Sequence, residues 1–397
     1  MSPDRKEVLL IGYGAVGAVC ALVLKRSGQA RVTVVARSNY EATKANGMHF
    51  KSQKFGDVPG WRPDRLCSSI SEAADQAYSH VVLTTKAVPD LQRTPELLAP
   101  LVSPPYSDKY SQPTYVLIQN GLNTEVDLYR ALKELRPDEE PRIINTAAYI
   151  FSRLTSPDVV EHTSDFLRLK MGICRSTPNV MTNTPTEAAI LSEFGDMLSA
   201  GGADITIVPE IQRYRFEKNI WNCVLGPASV LPRYSFQALF RAPTVTMDHP
   251  EPVTFPVDPN QDVRPSRAKT ASIPASFPVI AENTLPWLYD AFVEVAAVGN
   301  ALYPPGEDGK PLFSDENGLS ILQISAAMSN KPNSSEKLSI LVDVEAGRPM
   351  EVEVLVGEVV RAGRRLGVPI PRIETLYALM SIIQAQLLYA HSQGKTS

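Results

Sequence analysis

The sequence predicts an α/β N-terminal domain on a doubly wound parallel sheet, followed by an all-α C-terminal domain. Three observations predict it. Residues 8–37 read as a strand, a glycine-rich turn, a helix and a second strand. Short apolar runs of strand length, HVVL and YVLI, recur further along the first half. From about Glu187 the pattern changes to long amphipathic helical segments. A length of 397 residues exceeds what one core usually holds, so the expected division is 1–208 and 209–397.

The opening unit is VLLIGYGAVGAVCALVLKRSG. Val8 to Ile11 make a buried strand, and Gly12, Tyr13, Gly14, Ala15, Val16 and Gly17 spell GxGxxG. A helix then runs to about Arg26 and stops at Gly28. Gly12 permits a tight turn, Gly14 lets a pyrophosphate approach the backbone, and Gly17 lets helix and strand pack closely. Free N–H groups at the helix start, including those of Ala15 and Val16, face the phosphates together with the helix dipole. A fingerprint that follows a strand, opens a helix and leads into RVTVVAR predicts a dinucleotide-binding Rossmann domain. The same apolar run, with Arg5 and Lys6 before it, has the outline of a secretory leader; its three glycines within six residues argue against one.

The end of the second strand selects the cofactor. Sites for NAD place a carboxylate there, whereas this chain has Arg37, which suits the 2′-phosphate of NADP. HVVLTTKAVPD reads as a strand ending in Lys86, and YVLIQNGLNTE as one ending in Asn120 and Gly121. Ligands of open parallel sheets bind beyond the carboxyl ends of the strands, so Lys86 and Asn120 are expected to line the cofactor cleft.

The second half holds EAAILSEFGDMLSAGGADITIV, read as helix, glycine break and strand. Helices follow at LPWLYDAFVEVAAVGNALY, EVEVLVGEVVRAGRRLG and PRIETLYALMSIIQAQLLYAHS. A Pro-rich polar segment at about 241–279 has no periodicity and is expected to be a surface insertion, and PPGEDGKPLFSDENG a second polar loop. FEKNIWNCVLGPASVL is mostly apolar, yet Lys218 and Asn222 lie one helical turn apart within it, on one face. A lysine on such a face either snorkels to water or has a task.

Composition excludes several classes. The net charge of −4 argues against a nucleic-acid binder. Cys20, Cys67, Cys174 and Cys223 are scattered without metal-ligand spacing, so no metal is expected and reduced thiols of a cytoplasmic protein are the simplest reading. No other run is long enough to span a membrane, and GKTS at the end carries no lipidation or peroxisomal signal.

Taken together, these motifs resemble the ketopantoate reductase (2-dehydropantoate 2-reductase) family over nearly the whole chain apart from the insertion, as a fungal-type member. The family's order is a glycine fingerprint, an arginine after the second strand, a strand-end KA, an NG, a helix with K-x3-N and a late S-x3-D-x3-G-R-x2-E. Here these are Gly12, Gly14 and Gly17, Arg37, Lys86-Ala87, Asn120-Gly121, Lys218 and Asn222, and Ser339, Asp343, Gly347, Arg348 and Glu351. The resemblance implies reduction of a 2-oxo acid by NADPH, most simply ketopantoate to pantoate on the way to pantothenate. It implies Lys218 as general acid and Glu351 as its catalytic partner. Asn222, Ser339 and Asn120 would bind substrate, with Asn120 also on the cofactor. Desolvation would lower the Lys218 pKa and a nearby Glu351 would raise it. Asp343 and Arg348 would be structural. Family members occur as monomers and dimers, so a homodimer stays open.

One position departs from the family. Its second asparagine, a turn beyond the first, is here Gly226, followed by Pro227. That leaves three alternatives open: a different carbonyl substrate, a non-catalytic NADPH-binding protein, or a dehydrogenase of the same layout for a phosphorylated or amino-acid-derived substrate. The last would need cations near Lys218, where Arg213 and Arg215 lie without forming a clear cluster.

Overall fold

Alternate residues of the first strand enter different cores: Val8 and Leu10 pack into one apolar cluster, Leu9 and Ile11 into another. A strand apolar on both faces needs a layer on each side, which is why this stretch reads as a continuous hydrophobic run. A computed structural model describes residues 5–241, 265–306, 309–331 and 337–394. The chain divides into two units, Met1–Arg215 and Phe216–Ser397.

The strands of the first unit are β1 (Lys6–Ile11), β2 (Ala30–Val35), β3 (Met48–Ser52), β4 (Gly56–Trp61), β5 (Arg65–Cys67) and β6 (His80–Leu83). They continue as β7 (Thr114–Leu117), β8 (Ile143–Tyr149), β9 (Ser152–Ser156), β10 (Val159–His162), β11 (Arg168–Ile173) and β12 (Asp204–Ile207). Eight form one sheet in the order β12-β11-β8-β7-β6-β1-β2-β5. Its pairs are parallel except β8 with β11, which is antiparallel. One face is covered by the helices Ala15–Arg26 and Pro185–Ala200, through Val19, Val23, Phe194 and Leu198. The other is covered by Leu98, Leu101, Tyr106, Leu128 and Leu132. This is the doubly wound layout expected from the sequence.

A second sheet, β4-β3-β10-β9, has no counterpart in the sequence reading. β4 is GDVPGW, with a proline and two glycines, which weakens any local strand signal. Its existence rests on pairing between segments far apart in sequence, as in the parallel register of His49 with Val159. The strands β6 and β7 also end earlier than expected, at Leu83 and Leu117, so Lys86 and Asn120 stand three residues beyond them.

The second unit is helical. The helix Ile211–Val230 begins in the first unit and continues into it. Leu285–Leu302 is buried on most of its faces and forms the middle of the unit. Phe216 packs against Phe313 and Tyr303, with centroids 5.3 Å and 5.9 Å away. Glu294, 7% exposed, accepts from the backbone N–H groups of Arg372 and Ile373 at 3.0 Å and 3.2 Å. It therefore caps the last helix, Pro371–Ser392, at the end where a carboxylate complements the dipole.

Three local expectations change. EVEVLVGEVVRAGRRLG is not one regular helix: a π-turn over Glu353–Gly357 precedes the helix Glu358–Leu366. The polar loop before residue 318 is shorter than read, because Asp315 already opens the helix Asp315–Ser329 behind a Ser314–Asn317 capping box. Of the Pro-rich insertion, residues 242–264 lie outside the described residues; Pro265–Thr270 is a short helix and Ile280–Thr284 a π-turn.

Candidate active site

The glycine fingerprint lies at the carboxyl end of β1. Gly12 adopts φ +100°, a conformation L side chains rarely reach. A Cβ on Gly17 would stand 2.0 Å from the Gly12 carbonyl oxygen and 2.4 Å from Thr84 Oγ1, so only glycine fits there. Thr84 Oγ1 donates to that same carbonyl at 2.5 Å and pins the turn from the neighbouring strand. Gly14 is different: a Cβ there would meet nothing within 4 Å. Gly14 is the N-cap of the helix Ala15–Arg26, with no side-chain cap and no acidic residue in the first turn. The first turn thus offers N–H groups, including those of Ala15 and Val16, with no competing carboxylate. That is the chemistry of an anion cradle, and it fits a dinucleotide pyrophosphate.

Sheet topology brings the other cofactor candidates to the same edge. β2, β1, β6 and β7 are consecutive and parallel, with Val35, Ile11, Leu83 and Leu117 in register. Arg37, the glycine turn, Lys86 and Asn120 lie one to three residues beyond these four. With strands about 4.8 Å apart, their loops span about 14 Å of one sheet edge. Arg37 and Lys86 are exposed and Asn120 is half-buried. Asn39, 6% exposed, donates from Nδ2 to the Tyr13 carbonyl at 2.8 Å, tying the loop after β2 to the fingerprint. Gln119 donates from Nε2 to the Thr85 carbonyl at 2.9 Å and joins the loops after β6 and β7 in the same way.

In the second unit, Lys218 and Asn222 are half-buried on the helix Ile211–Val230. Asn219, 2% exposed, donates from Nδ2 to the Leu355 carbonyl at 2.8 Å. That bond docks the Lys218 turn on the segment that begins at Glu351, itself 4% exposed. The segment is fixed from behind by Gln384, whose amide accepts from Met350 N–H at 2.8 Å and donates to the Met350 carbonyl at 3.1 Å. Two turns beyond Lys218, a Cβ on Gly226 would stand 3.3 Å from Ile340 Cγ2. Ile340 follows Ser339, the exposed first residue of the helix Ser339–Glu345. One helix therefore packs against both segments that carry the other candidates of the second unit. Asp343, 1% exposed, is held by Arg348 at 3.1 Å and 3.2 Å.

Sequence reading left Thr84, Asn39, Gln119, Asn219 and Gln384 without roles. They act through backbone carbonyls of other elements, and no local motif marks such a residue. Arg215, noted only as a nearby cation, is 3% exposed and bonded within the first unit, so it is no free cation for a substrate phosphate. Among the described residues no three His, Cys, Asp or Glu gather as a metal set, and no helix is long and apolar enough to cross a membrane. The four cysteines are free and buried, and burial pushes the Cys20 thiol up to about 12.

Comparison with known proteins covers both units. Residues 8–175 match the family "Ketopantoate reductase PanE/ApbA" and residues 282–384 match "Ketopantoate reductase PanE/ApbA C terminal". An uncharacterized protein of Saccharomyces cerevisiae is 24% identical over 394 residues, spanning 96% of this chain and 94% of its own length. The crystal structure of 2-dehydropantoate 2-reductase from Methylococcus capsulatus is 27% identical, with TM-score 0.65 and coverage of 96% and 97%. A ternary structure of D-mandelate dehydrogenase with NADH and anilino(oxo)acetate shares the fold at 15% identity, with TM-score 0.65 and coverage of 96% and 99%.

Proposed function

Because the chain belongs to the ketopantoate reductase family, we propose that it reduces the keto group of a 2-oxo acid with NADPH, converting 2-dehydropantoate to pantoate. Its cofactor class is a nicotinamide dinucleotide, which supplies a hydride when bound. The observation that carries the reading is the docking of the Lys218 helix, through Asn219, on the segment headed by Glu351. Gly12, Gly14, Ala15, Val16 and Gly17 hold the pyrophosphate, Arg37 the 2′-phosphate, and Lys86 and Asn120 the rest of the dinucleotide.

Lys218 stabilises the oxygen of the substrate carbonyl as negative charge develops on it and then donates a proton to that oxygen. Glu351 keeps Lys218 charged and oriented. Asn222, Asn120 and Ser339 bind the polar groups of the acid. Being half-buried, Lys218 loses part of its hydration, and its charge acts more strongly on the oxygen than it would in bulk water.

A second reading concerns the substrate alone. Gly226 offers no side-chain amide, and the apolar Ile340 packs directly beside it, 3.3 Å from where a Cβ would stand. That combination favours a 2-oxo acid with an apolar side chain, as the mandelate dehydrogenase of the same fold also suggests. The deciding experiment follows NADPH oxidation with 2-dehydropantoate and with benzoylformate, using NADH as control. Lys218→Ala should lower kcat by about 10²–10⁴-fold and leave the NADPH dissociation constant unchanged. A chain that binds NADPH but reduces no 2-oxo acid would sink the catalytic reading.

A further inference from the structure

The loop after β7 passes through two left-handed residues, Gly121 at φ +87° and Asn123 at φ +57°. Glycine adopts that conformation freely and asparagine at a modest cost, so the turn gains from an outside hold. Arg215 supplies it. Its guanidinium, 3% exposed, donates from Nη2 to the Gly121 carbonyl at 2.7 Å and to Thr124 Oγ1 at 2.8 Å. The two acceptors flank Asn123. Its other terminal nitrogen, Nη1, lies 3.4 Å from both Asn145 Oδ1 and the Thr146 carbonyl on β8. Thr146 Oγ1 in turn donates to the Leu117 carbonyl, the last residue of β7, at 2.9 Å. One turn earlier on the same helix, Gln212 Nε2 donates to Glu125 Oε1 at 2.8 Å and grips the far end of the loop. A buried guanidinium is costly unless its donors are met; here Nη2 is met by the loop and Nη1 faces acceptors of β8.

We infer that Arg215 is a positioning residue for the dinucleotide site: it clamps the Gly121–Thr124 turn and so sets the Asn120 side chain against the bound cofactor. The inference rests on the cofactor role proposed above for Asn120. It requires arginine, because the planar fork reaches the turn through Nη2 and β8 through Nη1 at once.

The test uses the full chain and needs no substrate. NADPH affinity is read by cofactor fluorescence for R215K, N120A and the double variant. R215K should raise the dissociation constant about tenfold, and the double variant should bind no worse than N120A within about twofold, the non-additivity of residues acting through one contact. A purely structural arginine would give losses that multiply. The clamp is overturned if folded R215K binds NADPH as the unsubstituted chain does, or if the two losses multiply. Should R215K melt early, N123G in that background decides: glycine relieves the left-handed residue, so binding should recover, and no recovery overturns the clamp. A chain without dinucleotide affinity would instead overturn the role of Asn120. Amide exchange over residues 119–125 would then test the clamp directly, faster exchange in R215K supporting it and unchanged exchange refuting it.

Discussion

Asn219 donates its side-chain amide to the carbonyl of Leu355, 2.8 Å away on the π-turn that follows Glu351. A π-turn disturbs the regular helical ladder, and a side chain from a neighbouring helix meets a carbonyl there. Asn219→Ala would remove this buried bond to the Leu355 carbonyl, at a cost of about 1–3 kcal/mol. The expected result is a lower melting temperature by calorimetry with NADPH affinity unchanged, since the dinucleotide motifs lie in the first unit. A variant that melts with the unsubstituted protein would show that the bond does not anchor the helix.

Gly14 and Gly17 should fail in opposite ways. Gly14→Ala adds a methyl to open space, so stability should hold while dinucleotide affinity falls, because the methyl would stand in the approach proposed for the pyrophosphate. Gly17→Ala drives a Cβ into the Gly12 carbonyl and should destabilise the fold by on the order of 3 kcal/mol, the scale of an overpacked site. Thermal melts paired with NADPH titration separate the two. Loss of stability in Gly14→Ala, with affinity kept, would contradict the cradle.

Arg37 is exposed just beyond β2, in a loop that Asn39 ties to Tyr13. If it binds the 2′-phosphate, Arg37→Ser should weaken NADPH by about ten- to hundredfold, one charge-assisted contact, and leave NADH affinity nearly unchanged. Equal losses for both cofactors would remove Arg37 from cofactor selection.

His80 gives the protein a pH signature away from this site. It is 2% exposed, tilted against Phe194 with centroids 5.1 Å apart, and its Nδ1 lies 3.0 Å from Ser79 Oγ. Burial holds its imidazole down to about 4 from 6.5. Between those values the unfolded chain binds the proton and the folded chain does not, so stability falls as pH drops through that window. The loss by pH 5 should be about 2 kcal/mol. Urea titrations at pH 7 and 5 should show a smaller pH dependence for His80→Gln. An unchanged dependence would mean that His80 is not the group responsible.

The cofactor half of the site was legible in the sequence because its physics is local. A strand, three glycines and a helix start occupy consecutive residues, and the continuous apolar run of β1 already required a layer on each face of the sheet. Lys218 and Asn222 were legible for the same reason, being one turn apart. The family pattern added Ser339 and Glu351, which no spacing links to Lys218. Tertiary structure decided what the chain brings together across long separations. Asn219 meets Leu355 136 residues later, and Arg215 meets Gly121 94 residues earlier. β3 pairs with β10, which is why the second sheet was invisible. The filling of the space at Gly226 by Ile340 also belongs to the fold. Periodicity and caps are set by neighbouring residues, whereas the acceptor of a buried amide or guanidinium is set by whichever backbone the packed helices and sheet place beside it.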